Sequence, residues 1–224
     1  MHENNFRMAR KEHAWNQEEL ARKLGVSQTL VSLWERGKRR LPEKRVAQLR
    51  RLGVKLDPAL LPLREFPPRL DFAQELANLG YPAFAHFANG EPELNPAQFL
   101  ILALAQDYLE RRTAEGLPWV VLRYSKMDWE WVKREAKLRD LQNRLGFTLS
   151  VAKKLAFEQD QLKPARTLKR QEQQLRNSLL AKEDTYCNER MTASERQWLK
   201  TNRSEEAAAW NVLSDLAPGY VSYD

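Results

Sequence analysis

Residues 16–42 read NQEELARKLGVSQTLVSLWERGKRRLP, and this stretch decides the fold of the first quarter of the chain. Asn16 is a predicted helix N-cap, because Glu19 stands three residues later and completes a capping box. Gly25 is predicted to end that helix, since glycine adopts positive φ without a steric penalty. Ser27 then caps the next helix. The pattern predicts two helices joined by a tight turn.

The second of these helices has two different faces. Val31 and Trp34 are predicted to point into a core, where Trp34 serves packing alone. The other face carries side chains that can meet a partner: Gln28, Thr29, Ser32 and Leu33. Helical spacing also predicts a helix before this pair and another after it, so a compact helical module should occupy residues 1–55.

The basic charge of the chain is concentrated in this module. The 224 residues carry a net charge of +7. Residues 1–55 hold 14 Lys and Arg against 6 Asp and Glu, a net +8, and the remaining residues hold 23 against 24, a net −1. A basic module attached to a neutral body indicates that this end of the chain meets a polyanion.

The stretch from Asn16 to Pro42 resembles the Cro/C1-type helix-turn-helix of phage repressors and bacterial XRE-family regulators, over roughly residues 5–55. The resemblance implies a lambda-repressor-like helical domain whose third helix enters the major groove of double-stranded DNA. It implies that Arg10 pairs with Glu35 and that Gly25 and Trp34 are structural. It further implies a phosphate contact for Gln17 and base-edge contacts for Gln28, Thr29, Ser32 and Leu33.

The chemistry of these side chains agrees with such roles. The amide of Gln28 donates and accepts at once, which suits the N6 and N7 edge of adenine. Thr29 offers a hydroxyl or a methyl group. Leu33 is apolar where many relatives carry a polar residue, so we expect a thymine-methyl contact there or none. Lys38, Arg39 and Arg40 lie just beyond the helix, where they can neutralise phosphates, and Ser27 is a further predicted phosphate contact. Phosphate contacts fix the register without reading sequence.

The rest of the chain is predicted to be helical as well, so the fold class is all-α. Four prolines within residues 55–71 predict a linker at 56–70, with its leucines and Phe66 packed on a surface. We expect a helical partner or dimerisation domain at 71–183 and a helical tail at 184–224.

Three local expectations concern the larger part. A central helix should begin at Asn95-Pro96 and run to Gly116. A helix capped near Asp128 should break at Gly146. Cys187, the single cysteine of the chain, lies in a polar stretch and is predicted to be an ordinary surface or boundary residue. One cysteine allows no internal disulfide, which favours a cytoplasmic location. DNA binding would place the protein at the nucleoid.

Residues 117–147 (LPWVVLRY through RDLQNRLGF) are similar to helical domains attached to some XRE regulators. Many proteins of that kind are antitoxins or regulators of defence loci, which implies a possible protein partner such as a cognate toxin. Residues 71–224 would neutralise that partner, and the helix-turn-helix would repress the protein's own operon. Co-purification of a small neighbour-encoded protein would favour this alternative to a dimeric repressor that binds an inverted repeat. Trp119, Trp129 and Trp131 could line a partner groove or form the core.

The sequence offers no recognisable catalytic or cofactor-binding motif. His2, His13 and His86 are scattered, without the spacing of zinc ligands. No phosphate-binding glycine loop and no activated nucleophile is found. We therefore expect no enzyme activity, no cofactor and no metal, and no apolar run is long enough to span a membrane. A dispersed enzyme site in residues 70–183 is the remaining alternative.

Overall fold

The computed structural model describes residues 5–67 and 69–222, and helices dominate both compact units into which the chain divides. The first, here called the N-terminal unit, comprises residues up to 65 together with 93–95. The second, here called the larger unit, comprises residues 66–92 and those from 96 onward. The prediction of an all-α fold is confirmed, with a single pair of two-residue strands among the described residues.

The N-terminal unit contains four α-helices. They are α1 (Asn5–Glu12), α2 (Gln17–Leu24), α3 (Gln28–Glu35) and α4 (Glu43–Arg51). Each helix contributes to one core, in which the rings of Phe6 and Trp34 meet edge to face at 6.2 Å. The other large members of that core are aliphatic, and they are Leu20, Leu24, Val31, Leu41, Val46, Leu49, Val54 and Leu61.

The first part of the proline-rich segment packs on this unit. A 3-10 helix at Pro58–Leu60 is capped by Asp57, whose Oδ1 accepts a hydrogen bond of 2.8 Å from the amide of Ala59. Leu61 is buried, and Leu56 and Leu60 pack against the core of the N-terminal unit. Leu61 therefore joins this core and Leu56 and Leu60 lie against it, while the exact ends of the predicted linker stay a prediction.

The larger unit is built around one long helix. Its elements are α5 (Phe72–Asn78), a 3-10 helix (Pro82–Phe87), α6 (Pro96–Leu104), α7 (Arg111–Glu115), α8 (Leu117–Arg123), α9 (Trp129–Leu138), α10 (Gln142–Glu158), α11 (Leu162–Arg176), β1 (Asp184–Thr185), α12 (Ala193–Asn202), α13 (Glu205–Ala209), β2 (Val212–Leu213) and a final 3-10 helix (Pro218–Tyr220). Most side chains of α10 are buried, and α8, α9, α11 and α13 pack on it. The strands β1 and β2 pair in parallel, with Thr185 opposite Leu213.

The helix expected from Asn95 to Gly116 is wrong in length. In the structure α6 ends at Leu104, and α7 begins at Arg111. The guanidinium of Arg144 donates from Nη1 to the carbonyls of Leu104, at 2.9 Å, and of Gln106, at 3.0 Å. These bonds satisfy carbonyls at the end of the helix, and such termination by a distant arginine cannot be seen in local sequence.

The break expected at Gly146 is also wrong, because α10 runs through this residue without interruption. A Cβ added at Gly146 would stand 2.2–2.3 Å from ring atoms of Trp210, whose side chain is fully buried. Glycine is therefore needed here for the close approach of an indole ring and does not mark the end of a helix.

Cys187 is buried, which corrects the expectation of a surface or boundary residue. Its Sγ lies 3.5 Å from the carbonyl oxygen of Ala103. Burial raises the pKa of the thiol to about 12, against a smaller opposing influence of the Arg144 guanidinium. The thiol is therefore protonated at neutral pH and serves as a small core residue.

Two of the three tryptophans between residues 119 and 131 belong to the interior of the larger unit. Trp119 and Trp129 are buried, and Trp131 is partly exposed. The indole N–H of Trp129 donates to the carbonyl of Ser125 at 2.9 Å.

Among the described residues, none of the helices is long and apolar enough to cross a membrane.

Candidate nucleic-acid interface

The turn between α2 and α3 forms from local interactions that the sequence specifies. The side chain of Asn16 accepts from the amide of Glu19 at 2.8 Å, and the carboxylate of Glu19 accepts from the amide of Asn16 at 2.7 Å. Gly25 follows α2 with φ of 63° and ψ of 47°, the left-handed region that favours glycine. The amide of Val26 then donates to the carbonyl of Ala21 at 2.9 Å, which closes the turn.

Helix α3 begins at a serine cap. The Oγ of Ser27 accepts from the amide of Leu30 at 3.3 Å. Its hydroxyl hydrogen remains available to an acceptor, and Ser27 itself is exposed. The partial positive charge at this helix N-terminus favours a nearby anion, so the cap lies where a phosphate contact is favourable.

Helix α3 has a buried side that packs on the domain and a second side that faces outward. Val31, Trp34 and Glu35 are buried. Gln28 and Thr29 are exposed at the first turn, and the next turn carries two partly exposed residues, Ser32 and Leu33. The four side chains predicted to read bases therefore share the unburied side of one helix.

Glu35 joins α3 to both preceding helices. Its Oε1 accepts from Nε of Arg10 at 2.6 Å, and both residues are 8% exposed. A second guanidinium nitrogen of Arg10 donates to the carbonyl of Trp15, at the approach to α2. The ion pair therefore fixes α1 against α3, and it is buried enough that loss of either partner would leave an uncompensated charge.

Gln17 has a role that the sequence did not predict. Its Nε2 donates to Oε2 of Glu35 at 2.6 Å, so this side chain ties the start of α2 to the end of α3. The amide nitrogen carries a second hydrogen, which can still be donated to a phosphate oxygen. No pattern in the linear sequence marks this contact, because it depends on how the two helices cross.

Exposed cations follow the C-terminal end of α3. Gly37 has φ of 65°, and the amide of Lys38 donates to the carbonyl of Leu33 at 2.9 Å, so the chain reverses directly after the helix. The side chains of Lys38, Arg39 and Arg40 are all exposed. Arg36 is exposed as well, and its Nε donates to the carbonyl of Ser32 at 3.1 Å. Arg36 therefore adds a cation beside Ser32 that the predicted set omitted.

A further arginine, Arg45, hydrogen-bonds to the turn between α2 and α3. Arg45 of α4 donates from Nη1 to the carbonyl of Leu24, the last residue of α2, and to Oε1 of Gln48. The bond to Leu24 satisfies a helix-terminal carbonyl next to Gly25 and connects α4 with the turn.

Within residues 5–67 and 69–222, no group of three His, Cys, Asp or Glu side chains is arranged to hold a metal ion.

Comparison with known proteins agrees with this geometry. Residues 6–57 match a family model whose description is Helix-turn-helix. Comparisons with curated proteins and with solved structures gave no match. The match covers the four helices of the N-terminal unit and leaves the larger unit without an assigned function. Residues 6–57 are thus a helix-turn-helix domain of the Cro/C1 type, and this match supports a general role in DNA binding and transcription regulation.

Proposed function

We propose that the chain is a sequence-specific repressor that binds an inverted repeat in double-stranded DNA as a homodimer, without enzyme activity. The observation that carries the proposal is the pattern of exposure along α3. Gln28 and Thr29 are exposed at its start, while Trp34 and Glu35 anchor it from the other side. A helix held in this way presents its first turn to the floor of the major groove.

Base reading is proposed for the outward side of α3. Gln28 can form paired hydrogen bonds with the N6 and N7 of adenine, which distinguishes that base from the other three. Thr29 and Ser32 carry hydroxyl groups that accept or donate, and Leu33 offers apolar contact to a thymine methyl group. The exposure of Gln28 and Thr29 exceeds that of Ser32 and Leu33, so the first pair should dominate recognition.

Phosphate contacts are proposed for the groups around the two ends of α3. At the N-terminal end these are Ser27 and the remaining amide hydrogen of Gln17. At the C-terminal end they are the cations Lys38, Arg39 and Arg40. Such contacts supply sequence-independent affinity and hold the helix in register with the bases.

Dimerisation is proposed because one domain of this size covers few base pairs. Two copies related by a twofold axis read two half-sites about one helical turn apart, at a spacing of roughly 10 bp. We propose that the larger unit supplies the surface through which the two copies pair. We also propose a cytoplasmic location. The cytoplasm keeps thiols such as the single buried cysteine reduced, and it contains the DNA that the helix-turn-helix domain would bind.

Gln28→Ala is expected to weaken binding to the preferred site by about 1–3 kcal/mol while binding to unrelated DNA stays nearly constant. The reason is that alanine removes both hydrogen bonds to a base edge and no phosphate contact. Binding of labelled duplexes, measured by fluorescence anisotropy, checks this. Gln173→Ala is the matched control, since Gln173 is an exposed glutamine of α11 in the larger unit. Equal loss on specific and unrelated DNA would exclude base reading by Gln28.

Arg39→Ala is expected to weaken binding to all duplexes by a similar factor and to reduce the slope of log K against log salt by about one unit. Removal of an exposed cation abolishes one phosphate contact and the release of its counterion. Titrations at several salt concentrations measure the slope. Lys169→Ala, which removes an exposed cation from α11, should leave the slope unchanged. A sequence-dependent loss in Arg39→Ala would assign this residue to base recognition instead.

A further inference from the structure

The larger unit contains a pocket of about 270 Å³ that the helix-turn-helix domain does not explain. Three separate segments form its wall: residues 108–115 around α7, residues 186–199 up to and within α12, and residues 213–216 at the end of β2. Pockets for drug-sized ligands occupy about 300–1,000 Å³. At about 270 Å³ the pocket lies just below that range, so it suits a small organic molecule.

The interior of the pocket is mostly apolar. Its buried aliphatic walls come from all three segments, and they are Leu109, Leu199, Leu213 and Leu216. The ring of Tyr186 adds a flat surface, and its hydroxyl is turned to Thr148, 2.9 Å away. A ligand held here would bury a hydrocarbon or aromatic body against these side chains.

Exposed aromatic rings line the pocket or contact one of its residues. Trp198 is 54% exposed and Tyr108 is 46% exposed, and both line the pocket. Tyr220 is also exposed and lies 5.9 Å from the guanidinium of Arg111, a pocket residue. Arg190 already lies 4.4 Å from the ring of Tyr108, whereas the face of Trp198 has no cation over it among the described residues. Trp198 is therefore the ring open to a further cation.

The charged residues of the pocket are unbalanced. One cation, Arg111, lies among three carboxylates. Its Nε donates to Glu115 at 2.9 Å and its Nη2 donates to Asp215 at 3.3 Å. The hydrogen bond to Glu115 is the main reason that the pKa of Arg111 is raised, so the guanidinium stays charged. The pocket consequently carries a net charge of −2 from its lining residues.

Glu195 is the carboxylate that this arginine does not neutralise. Its Oε2 accepts from the amide of Thr192 at 2.7 Å and from the hydroxyl of Thr192 at 2.8 Å. These bonds, the backbone bond first, lower the pKa of Glu195, which keeps it ionised at neutral pH. Its Oε1 accepts no hydrogen bond from the described residues. This oxygen belongs to α12, the helix that also carries Trp198.

We propose that this pocket binds a small organic cation with an apolar body. The apolar part would occupy the leucine-lined interior, and the ammonium group would lie between the face of Trp198 and the carboxylate of Glu195. Aromatic faces and carboxylates both attract ammonium groups, and a tryptophan face attracts them most strongly of the aromatic side chains. An anionic ligand of equal size would instead meet the net negative charge of the wall.

The test is calorimetric titration of the full-length protein with 2-phenylethylammonium and, separately, with 3-phenylpropanoate, which has a similar body and the opposite charge. We expect the ammonium compound to bind saturably and at least about tenfold more tightly than the carboxylate. Trp198→Ala should weaken that binding about tenfold. Phe157→Ala is the matched control, because Phe157 is a similarly exposed aromatic residue of α10 outside the pocket.

Several results would overturn the proposal. Equal or tighter binding of 3-phenylpropanoate would contradict the sign of the charge argument. Unchanged affinity in Trp198→Ala would place the ligand elsewhere. Binding of an arginine-containing peptide without any binding of 2-phenylethylammonium would assign the surface to a protein partner. Calorimetry detects occupancy of the pocket without DNA, so failure here leaves the DNA-binding proposal untouched.

Discussion

Glu35→Met is expected to lower the free energy of unfolding of the N-terminal unit by about 3–5 kcal/mol. Glu35 is buried and accepts hydrogen bonds from Arg10 and from Gln17, both at 2.6 Å. Its removal leaves the buried guanidinium of Arg10 with the carbonyl of Trp15 and without a counter-charge. A buried charge that loses its partner costs far more than the intact pair contributes.

The double variant Arg10→Met/Glu35→Met is the control. Replacing both members of a buried ion pair with apolar side chains of similar volume is often neutral, so the double variant should be clearly more stable than Glu35→Met. Hydrogen exchange of the full-length protein measures both, and the loss of protection should be greater in α1 to α4 than in α10. A double variant as unstable as the single one would show that geometry, not charge burial, is what Glu35 provides.

Gly146→Ala is expected to destabilise the larger unit by about 3 kcal/mol. An added Cβ would stand 2.2–2.3 Å from Cε3, Cδ2 and Cζ3 of Trp210, far inside van der Waals contact. Trp210 cannot move aside easily, because it is fully buried and its Nε1 donates to Oγ of Ser150 at 3.2 Å. Either the indole or the axis of α10 must shift, and both cost packing energy.

Gly90→Ala is the matched control within the same unit, since a Cβ at Gly90 would have no atom within 4 Å. We expect this variant to unfold like the unmodified protein. Hydrogen exchange within α10 and α13 is the measurement, with the amides of α3 as an internal reference. Wild-type protection in Gly146→Ala would show that the helix accommodates the methyl group and that the glycine has another purpose.

Much of the N-terminal unit could be predicted because its signals are local. The capping pair Asn16 and Glu19 and the turn at Gly25 act over three or four residues, which a linear pattern records. The structure contains the predicted hydrogen bonds between Asn16 and Glu19. A capping box of the same local kind joins Thr192 and Glu195 in the larger unit.

The errors in the larger unit arise from contacts over long distances in the chain. Arg144 satisfies the carbonyls at the end of α6 from about 40 residues away. The ring of Trp210 is the reason that a glycine stands at position 146, yet the two residues are 64 positions apart in sequence. No helical pattern in the sequence indicates that they are in contact. Periodicity and turn residues indicate where helices can form, whereas tertiary neighbours decide where they end.

The candidate sites differ in the same way. The outward residues of α3 share one helical face, so spacing and the resemblance were sufficient to name them. The bond between Gln17 and Glu35 requires knowledge of how α2 and α3 cross. The pocket of the larger unit combines three segments spread between residues 108 and 216, and no motif connects them.

The central claim is that α3 reads a base sequence, and selection of random duplex DNA on the full-length protein at physiological salt tests it most directly. The account predicts enrichment of an inverted repeat whose half-sites lie about one helical turn apart. It also predicts that Gln28→Ala loses preference at one symmetric position in each half-site. An identical motif from the wild-type protein and from Gln28→Ala, or no enriched motif from folded protein, would contradict it.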